Sequence, residues 1–494
     1  MALAPLIGAL SIVGFFYLIF NYYRNVVRYP KGPFPLPFIG NMLSLHPRGL
    51  HNDIRKLSLE YGPVFTIFIP VPLVVITDYE ALKEAFITKG EDFVDRPVLI
   101  LDEEFEFCEN AGVIGSNGNS WRENRRQAIS ILRDFGMGKG VMEEMVKLSI
   151  GEYLNWLDHI EDKSKVDMRW PIQFMIANII NEVLFGFRYE YDKGTPLIEY
   201  VEAINEFVTN LSGNLLRFVV MKLPWIKHIP IIGYYAVTRH KEQMSRMKNY
   251  ISSTVDQAMA RGNNDQEPDC FVHAYMQKIG SNDYLTKEQL YATCSDFFAA
   301  GQETTTTTLR WAMLFLADNQ EQQERIREEV LSVCGPHRLP SMSDKPNLPY
   351  TSAAVHEIQR RANMLMMNVM RMTTVDTEVM GHKIPKGTSI DGDIYQVMAH
   401  DPIFENPELF RPERYLSEDG KKLKKDLLDR TIPFSIGKRQ CAGEGLARVE
   451  LLLGLAATVQ HYRILPSSDG PVDLTPNYNF LMSPKDQKVR IEPV

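Results

Sequence analysis

Hydrophobic and polar residues are unevenly distributed along this chain, and the first segment has the strongest bias towards apolar residues. No charged residue occurs from Met1 to Tyr23, and a basic flank begins at Arg24. About 20 mostly apolar residues are enough for a helix to cross a bilayer, and a positive flank favours the cytosolic side. The pattern predicts a transmembrane anchor over residues 1–23. A cleaved signal peptide and a buried core helix are the weaker alternatives, because no charge precedes the apolar run.

The next stretch is rich in proline, with four prolines between residues 30 and 37. Proline excludes regular helix and favours a stiff extended chain. We interpret residues 24–41 as a hinge that holds residues 42–494, a single large catalytic domain, at a fixed distance from the membrane. A second apolar stretch, residues 223–232, is interrupted by prolines. It either dips into the membrane surface or forms a packed loop.

Beyond the hinge, apolar residues recur mostly at helical spacing. The stretches with this spacing are Val141–Trp156, Ile172–Phe185, Leu285–Asp318 and Pro349–Arg361. β-rich segments occur at Val64–Thr77, near Glu378–Ile394 and at the C-terminus. The pattern predicts a mainly α fold with a smaller β portion.

Composition narrows the class of protein. Hydrophobic residues make up 45% and charged residues 23%, which is typical of a globular chain. The net charge of -8 gives no reason to expect nucleic acid as a partner. The five cysteines are scattered and odd in number, so they predict no disulfide framework, and any one of them is available as a ligand.

One cysteine has a distinctive neighbourhood. Cys441 lies in a glycine-rich loop directly before a helical run that starts at Leu446. A helix N-terminus is expected to lower the pKa of a thiol and to favour the thiolate. Gly443 lets the backbone approach a flat surface closely, while Phe434 offers an aromatic wall and Arg439 a cation. These features suit a flat, anionic, iron-containing ligand bound through sulfur.

The pattern Phe-x-x-Gly-x-Arg-x-Cys-x-Gly at residues 434–443 closely resembles that of the cytochrome P450 superfamily. The resemblance extends over essentially the whole chain and is greatest to the animal microsomal branch. That branch shares the order of anchor, proline hinge and the segment from Asn178 to Tyr189. The resemblance implies the cytochrome P450 fold and a haem b whose iron is held by the thiolate of Cys441.

Further haem contacts follow from the same resemblance. Trp121 and Arg125 are four residues apart, which places both on one helical face. The resemblance implies that these two residues, Arg371 and Arg439 contact the haem propionates, and guanidinium groups suit carboxylates. The chain departs from the family at Met370, where proline is usual, so the pocket wall there is expected to differ.

The resemblance also assigns oxygen activation to the long helical run from Leu285. Thr304 is four residues after Ala300, so its hydroxyl can bond to the Ala300 carbonyl and loosen the helix. Glu303 is the one ionisable group in that turn. In the family such an acid and alcohol deliver protons. Without the cysteine loop, a salt-bridging role for Glu303 would be the better interpretation.

A separate set of charged residues is interpreted as structural. Glu357 and Arg360 have the spacing of a helical pair, and the resemblance links both to Arg414. Breaking a buried ion network leaves uncompensated charge, so we expect this triad to support the fold rather than catalysis.

The resemblance implies a monooxygenase that inserts one oxygen atom from O2 into a lipophilic fatty acid, steroid or xenobiotic. Since no flavin or nicotinamide domain is evident, electrons would come from NADPH through a separate cytochrome reductase, with cytochrome b5 as a second possible donor. A basic docking face is expected from Arg122, Arg126, Arg133 and Lys438. The expected location is the endoplasmic reticulum membrane, as a single-pass protein with its catalytic domain in the cytosol.

The substrate itself is not specified by the sequence. The substrate-contacting residues that the resemblance implies are all apolar: Phe105, Phe107, Ile114, Phe297, Ala300, Val369 and Phe480. Two other functions stay open. A peroxide isomerase or dehydratase would work without a reductase, but it has no need of the Glu303 and Thr304 pair. A haem-binding lipid carrier would need no chemistry at all.

Overall fold

The computed structural model describes residues 3–46, 49–97, 107–135, 140–191, 195–211, 228–235, 239–262, 267–365, 367–478 and 481–494. The chain divides into two compact units. The first unit comprises Met1–Pro97, Met367–Val397 and Ile436–Arg439. The second comprises Val98–Met366, Met398–Ser435 and Gln440–Val494.

Helices dominate, as predicted. In chain order they are α1 (Leu3–Val26), α2 (Leu50–Tyr61), α3 (Tyr79–Lys83), α4 (Gly118–Asp134), α5 (Val141–Asp158), α6 (Arg169–Phe185), α7 (Thr195–Leu211), α8 (Pro230–Gly233), α9 (Arg239–Arg261), α10 (Phe271–Met276), α11 (Lys287–Asp318), α12 (Gln320–Cys334), α13 (Pro349–Ala362), α14 (Ile394–His400), α15 (Lys425–Arg430) and α16 (Glu444–His461). The strands are short: β1 (Val64–Ile69), β2 (Val71–Ile76), β3 (Arg371–Met372), β4 (Thr377–Val379), β5 (His382–Ile384), β6 (Ser389–Gly392), β7 (Tyr462–Pro466), β8 (Pro476–Asn477), β9 (Ser483–Pro484) and β10 (Val489–Pro493). A mainly α fold with a smaller β portion is therefore confirmed.

The first unit is built on a four-stranded sheet in the order β1-β2-β6-β3. The β-rich segment Val64–Thr77 forms the hairpin of β1 and β2, in which Val64 pairs with Ile76. Strand β6 runs parallel to β2 and antiparallel to β3, so that Arg371 lies opposite Ile390. The sheet register thus fixes the backbone position of Arg371, one of the predicted haem contacts.

The second unit has its core around α6, which is apolar on nearly all sides and almost wholly buried. Helix α6 packs against α5 and against the long helix α11. A Cβ added at Gly301 would lie 2.9 Å from the Ile180 Cδ1 atom, so the glycine lets α11 approach α6 closely. This packing determines the position of the Ala300–Thr304 turn.

All four predicted helices are present, as α5, α6, α11 and α13. The predicted extended stretch near Glu378–Ile394 contains β4, β5 and β6, but its last residue already begins α14. The side chain of Asp393 accepts a hydrogen bond from the N–H of Gln396 over 2.9 Å, which caps the new helix. Capping therefore ends the strand at Gly392.

The end of α1 is attached to the predicted proline hinge. The hydroxyl of Tyr22 donates to the Leu36 carbonyl over 3.1 Å, and the hydroxyl of Tyr23 donates to the Pro35 carbonyl over 3.2 Å. Within the described residues, no helix combines the length and the apolarity that a membrane crossing requires. The anchor over residues 1–23 stays a prediction.

Candidate functional site

The predicted cysteine loop is a tight turn that leads into α16. The N–H of Cys441 donates to the Phe434 carbonyl over 2.9 Å. Gly437 has a φ of 78°, and a Cβ there would lie 1.9 Å from the Phe86 carbonyl oxygen, so only glycine fits. Because α16 begins at Glu444, Cys441 lies just before a helix, as the sequence predicted.

The protonation of Cys441 differs from the sequence-based expectation. Its side chain is accessible to solvent, yet protein atoms surround the sulfur closely enough that burial raises the pKa of the thiol. The N–H groups of Gly443 and Glu444 and the charge of Arg125 lower that pKa, but desolvation has the larger effect. The predicted effect of the helix N-terminus is therefore present, but burial outweighs it, so the net direction of the shift differs from the prediction.

Trp121 and Arg125 lie together on α4. The centre of the Arg125 guanidinium is 6.0 Å from the centroid of the Trp121 ring. Arg125 also donates a hydrogen bond to the Gln440 carbonyl, which attaches α4 to the residue before Cys441. Burial lowers the pKa of Arg125, whereas the charge of Cys441 raises it. The arrangement brings a cation to the proposed sulfur ligand, while the predicted haem contacts stay predictions.

Arg371 and Arg439 both belong to the first unit. Arg371 donates to the Ile436 carbonyl over 2.6 Å, and its guanidinium lies 3.5 Å from the centroid of the Phe86 ring. The Nε of Arg439 donates to the Val94 carbonyl over 2.7 Å. Both arginines are thus positioned by backbone carbonyls. Whether either binds a propionate stays a prediction.

On α11, the hydroxyl of Thr304 donates to the Ala300 carbonyl over 2.8 Å, as its spacing predicts. The hydroxyl of Thr308 makes the same contact one turn later, with the Thr304 carbonyl over 2.9 Å. Such contacts compete with the helical hydrogen bonds and bend the helix slightly. The local geometry required for a loosened turn is present at Thr304.

The carboxyl of Glu303 faces α6. Gln173 Nε2 donates to one carboxyl oxygen over 3.1 Å, and the Thr307 hydroxyl donates to the other over 3.2 Å. Glu303 is 8% exposed, and burial raises its pKa, although Gln173, Arg169 and Arg310 act in the opposite direction. The group is therefore able to hold a proton at a higher pH than an exposed glutamate.

Two predicted substrate contacts, Phe105 and Phe480, lie outside the described residues. Two others have aromatic neighbours in the second unit. The ring of Phe107 lies 5.4 Å from that of Tyr291. The ring of Phe297 is 5.6 Å from that of Phe271 in an edge-to-face arrangement. Contact of Phe107 and Phe297 with substrate stays a prediction.

The remaining predicted substrate contacts are accessible. Ala300 is exposed on α11. Ile114 of the second unit and Val369 of the first unit are each 37% exposed. Apolar side chains with this exposure are suitable for contact with a lipophilic molecule, and their assignment stays a prediction.

Sequence reasoning missed Asp296, which anchors the loop that carries Ile114. One Asp296 carboxyl oxygen accepts the N–H of Val113 over 2.6 Å and the N–H of Ile114 over 2.9 Å. Asp296, Ala300 and Thr304 are spaced four residues apart and so share one face of α11. That spacing was the signal available in the sequence.

The predicted charged triad is assembled and buried. Glu357 pairs with the Arg360 Nε over 2.8 Å and with the Arg414 Nε over 3.1 Å. All three side chains are almost inaccessible. Arg414 also donates to the Glu405 carbonyl over 2.6 Å. These contacts are those of a structural network, and its role in stability stays a prediction.

Two of the predicted docking residues make ion pairs. Arg126 contacts Glu123 over 2.6 Å on α4, and Lys438 of the first unit contacts Glu91. Arg122 and Arg133 are exposed on α4. Three of the four predicted docking residues, Arg122, Arg126 and Arg133, therefore lie on α4.

The comparisons with known proteins agree on one family. The family model described as cytochrome P450 matches residues 30–491. Cytochrome P450 2C8 of Homo sapiens and cytochrome P450 2C20 of Macaca fascicularis are each 34% identical to the chain over 494 residues, covering 95% of it and 97% of the relative. Cytochrome P450 2H1 of Gallus gallus is 35% identical over 460 residues, covering 90% of each.

Proposed function

The chain belongs to the cytochrome P450 family, and we propose that it is a haem-thiolate monooxygenase in which the Cys441 sulfur would hold the iron of haem b. Family membership makes the chain an oxygen-incorporating oxidoreductase. The observation that carries the proposal is the position of Cys441 directly before α16, with the Arg125 guanidinium beside its thiol.

The residues near Cys441 fit a flat, anionic, iron-containing group. A Cβ added at Gly443 would meet no atom within 4 Å, so the backbone there is open to close approach. A thiolate is a suitable iron ligand, and a guanidinium is suited to a carboxylate. When bound, haem supplies the electron-transfer and oxygen-activating chemistry. The proposed haem-binding residues are Cys441, Trp121, Arg125, Arg371, Phe434 and Arg439.

We propose that Glu303 and Thr304 deliver the protons that oxygen activation requires. Burial raises the pKa of Glu303, so its carboxyl holds a proton at a higher pH than an exposed glutamate does. The Thr304 hydroxyl donates to the Ala300 carbonyl and keeps its oxygen lone pairs available as acceptors. The Glu303 carboxyl is hydrogen-bonded to Gln173. Proton transfer between Glu303 and Thr304 therefore requires either that this hydrogen bond break or that a water molecule bridge Glu303 and Thr304.

The proposed reaction inserts one atom of O2 into a lipophilic small molecule such as a fatty acid, steroid or xenobiotic. The apolar character of the proposed contacts supports this substrate class. Electrons are proposed to come from NADPH through a separate reductase, with cytochrome b5 as a second donor. The exposed arginines of α4, Arg122, Arg126 and Arg133, suit an acidic partner surface.

We further propose that residues 1–23 attach the chain to the endoplasmic reticulum membrane, residues 24–41 act as hinge and residues 42–494 form a cytosolic catalytic domain. Large apolar side chains on α1 are solvent-exposed, which favours contact with lipid. Examples are Ile7, Leu10, Phe15, Phe16 and Leu18. Deleting residues 1–23 is expected to increase extraction of the protein from microsomes by alkaline carbonate, and unchanged extraction would contradict the proposal.

The proposed reaction is tested with purified protein, reductase and NADPH under heavy-isotope-labelled dioxygen. Fatty acids, steroids and xenobiotics that alter the haem spectrum are offered as substrates. We expect a product carrying one labelled oxygen atom, and none when the reductase is omitted. Full-speed conversion of a lipid hydroperoxide without reductase, with no labelled product from any substrate, would favour the isomerase instead.

A further inference from the structure

Outside the proposed haem site, one group of side chains has the geometry of a metal site. The ligand atoms of Asp269, Cys270 and His273 all lie within 4.8 Å of one another. Among the described residues, no other group of three or more such side chains comes this close together. The three residues stand at the start of α10 and belong to the second unit.

The orientation of His273 points to a cation. Its Nε2 atom lies 2.7 Å from the Ala258 carbonyl oxygen, which can only accept a hydrogen bond, so Nε2 carries a proton. The other ring nitrogen, Nδ1, faces the carboxylate of Asp269, so both groups offer a lone pair to one cation. Histidines that bind metals usually donate their other N–H to a carbonyl or carboxylate in this way.

Cys270 adds a soft ligand that is fully buried. The N–H groups of His273 and Val272 donate to the sulfur, which favours its thiolate form. A metal ion bound to the sulfur would displace the thiol proton to solvent.

Two glycines make room for the group. A Cβ added at Gly262 would lie 2.5 Å from the His273 Cδ2 atom. One added at Gly186 would lie 3.2 Å from the Cys270 Cβ atom and 3.6 Å from an Asp269 carboxyl oxygen. These glycines follow α9 and α6, so the cluster lies beside the ends of these two helices as well as at the start of α10. The exposed Asp269 side chain gives an ion access from solvent.

We propose that Asp269, Cys270 and His273 bind one zinc ion, with a water molecule as the fourth ligand. A mixed sulfur, nitrogen and oxygen set suits zinc, whereas magnesium and calcium prefer oxygen ligands alone. The ion would join the ends of α6 and α9 to the start of α10. It would stabilise the fold there without taking part in the oxygenation reaction.

The test uses the full-length haem protein, dialysed against zinc and then against zinc-free buffer. Zinc per haem is measured by plasma mass spectrometry, and X-ray absorption at the zinc edge reports the ligands. We expect about one zinc per chain, with one sulfur neighbour at about 2.3 Å. His273→Gln and Asp269→Asn are expected to weaken zinc binding at least tenfold while haem content stays unchanged.

Matched control variants distinguish specific zinc binding at this site from non-specific zinc binding. His159→Gln alters an exposed histidine and Cys334→Ser alters a second buried thiol, and both are expected to retain the zinc. Absence of zinc from the wild-type protein would overturn the proposal. So would equal zinc in all variants, or a zinc spectrum without sulfur, because either result indicates an adventitious ion only.

Discussion

The side-chain amide of Gln173 donates a hydrogen bond to the carboxyl of Glu303 over 3.1 Å, which holds the acid against α6. This contact stabilises the ionised carboxyl and so lowers the pKa of Glu303 against the larger effect of burial. The amide therefore influences when Glu303 can release its proton.

Gln173→Met removes this donor while it keeps similar volume. The pKa of Glu303 should rise further, so the pH profile of product formed per NADPH oxidised should move to higher pH. Gln302→Met is the control, because it changes another buried glutamine, next to Glu303 in the chain. A profile in Gln173→Met identical to that of the wild type would show that the amide does not tune the acid.

Thr304→Ala tests the proposed role of the hydroxyl. Haem and substrate binding should persist, since alanine is well tolerated in a helix, but product per NADPH should fall and hydrogen peroxide should rise. Thr308→Ala removes the equivalent hydroxyl contact one turn away and should leave the ratio unchanged. An unchanged ratio in Thr304→Ala would contradict proton delivery through this residue.

Cys441→Ala and Cys441→His should abolish the red-shifted Soret band of the reduced carbon monoxide complex, because that band requires a thiolate ligand. Cys334→Ser alters a buried cysteine elsewhere in the chain and should keep the band. Retention of the band in either Cys441 variant would assign the ligand to a different residue.

Glu357→Ala should destabilise the protein by about 3–5 kcal/mol, because it leaves the buried Arg360 and Arg414 without their carboxylate. Arg463→Ala breaks an ion pair with Glu324 whose side chains are each more than 40% exposed, and should cost at most about 1 kcal/mol. Denaturant unfolding of both variants measures the difference. Equal small effects would show that the triad is not required for stability.

Glu450 predicts a pH dependence of stability. Burial raises its pKa from 4.5 to about 8, with a hydrogen bond from Thr305 opposing the rise. The folded state therefore holds this proton more tightly than the unfolded state, and the resulting stability is present in full below pH 4.5 and lost as pH rises to about 8. The slope from one such group is at most about 1.4 kcal/mol per pH unit.

Glu450→Gln should flatten this slope in unfolding measurements across that pH range. Part of the slope should remain, because burial also raises the pKa of Asp391 and Asp393. Glu161→Gln changes an exposed acid and should leave the curve unaltered. An identical slope in Glu450→Gln and the wild type would mean that this carboxyl does not hold its proton on folding.

The sequence by itself determined the features that depend on local geometry. The helical period alone places the Thr304 hydroxyl at the Ala300 carbonyl and Glu357 beside Arg360, and both contacts are present. The glycine pattern around Cys441 likewise specifies a turn before a helix. These relationships join residues only a few positions apart, so the backbone conformation is sufficient to define them.

The tertiary structure determined which groups that are distant in sequence come into contact, and how far each group is exposed to solvent. Gln173 reaches Glu303 across 130 positions of the chain, and no local pattern specifies that partner. The pKa of the Cys441 thiol is raised rather than lowered, because desolvation is a property of the whole surrounding packing. In the same way, Gly186 and Gly262 meet the Asp269, Cys270 and His273 cluster only once α6, α9 and α10 are assembled.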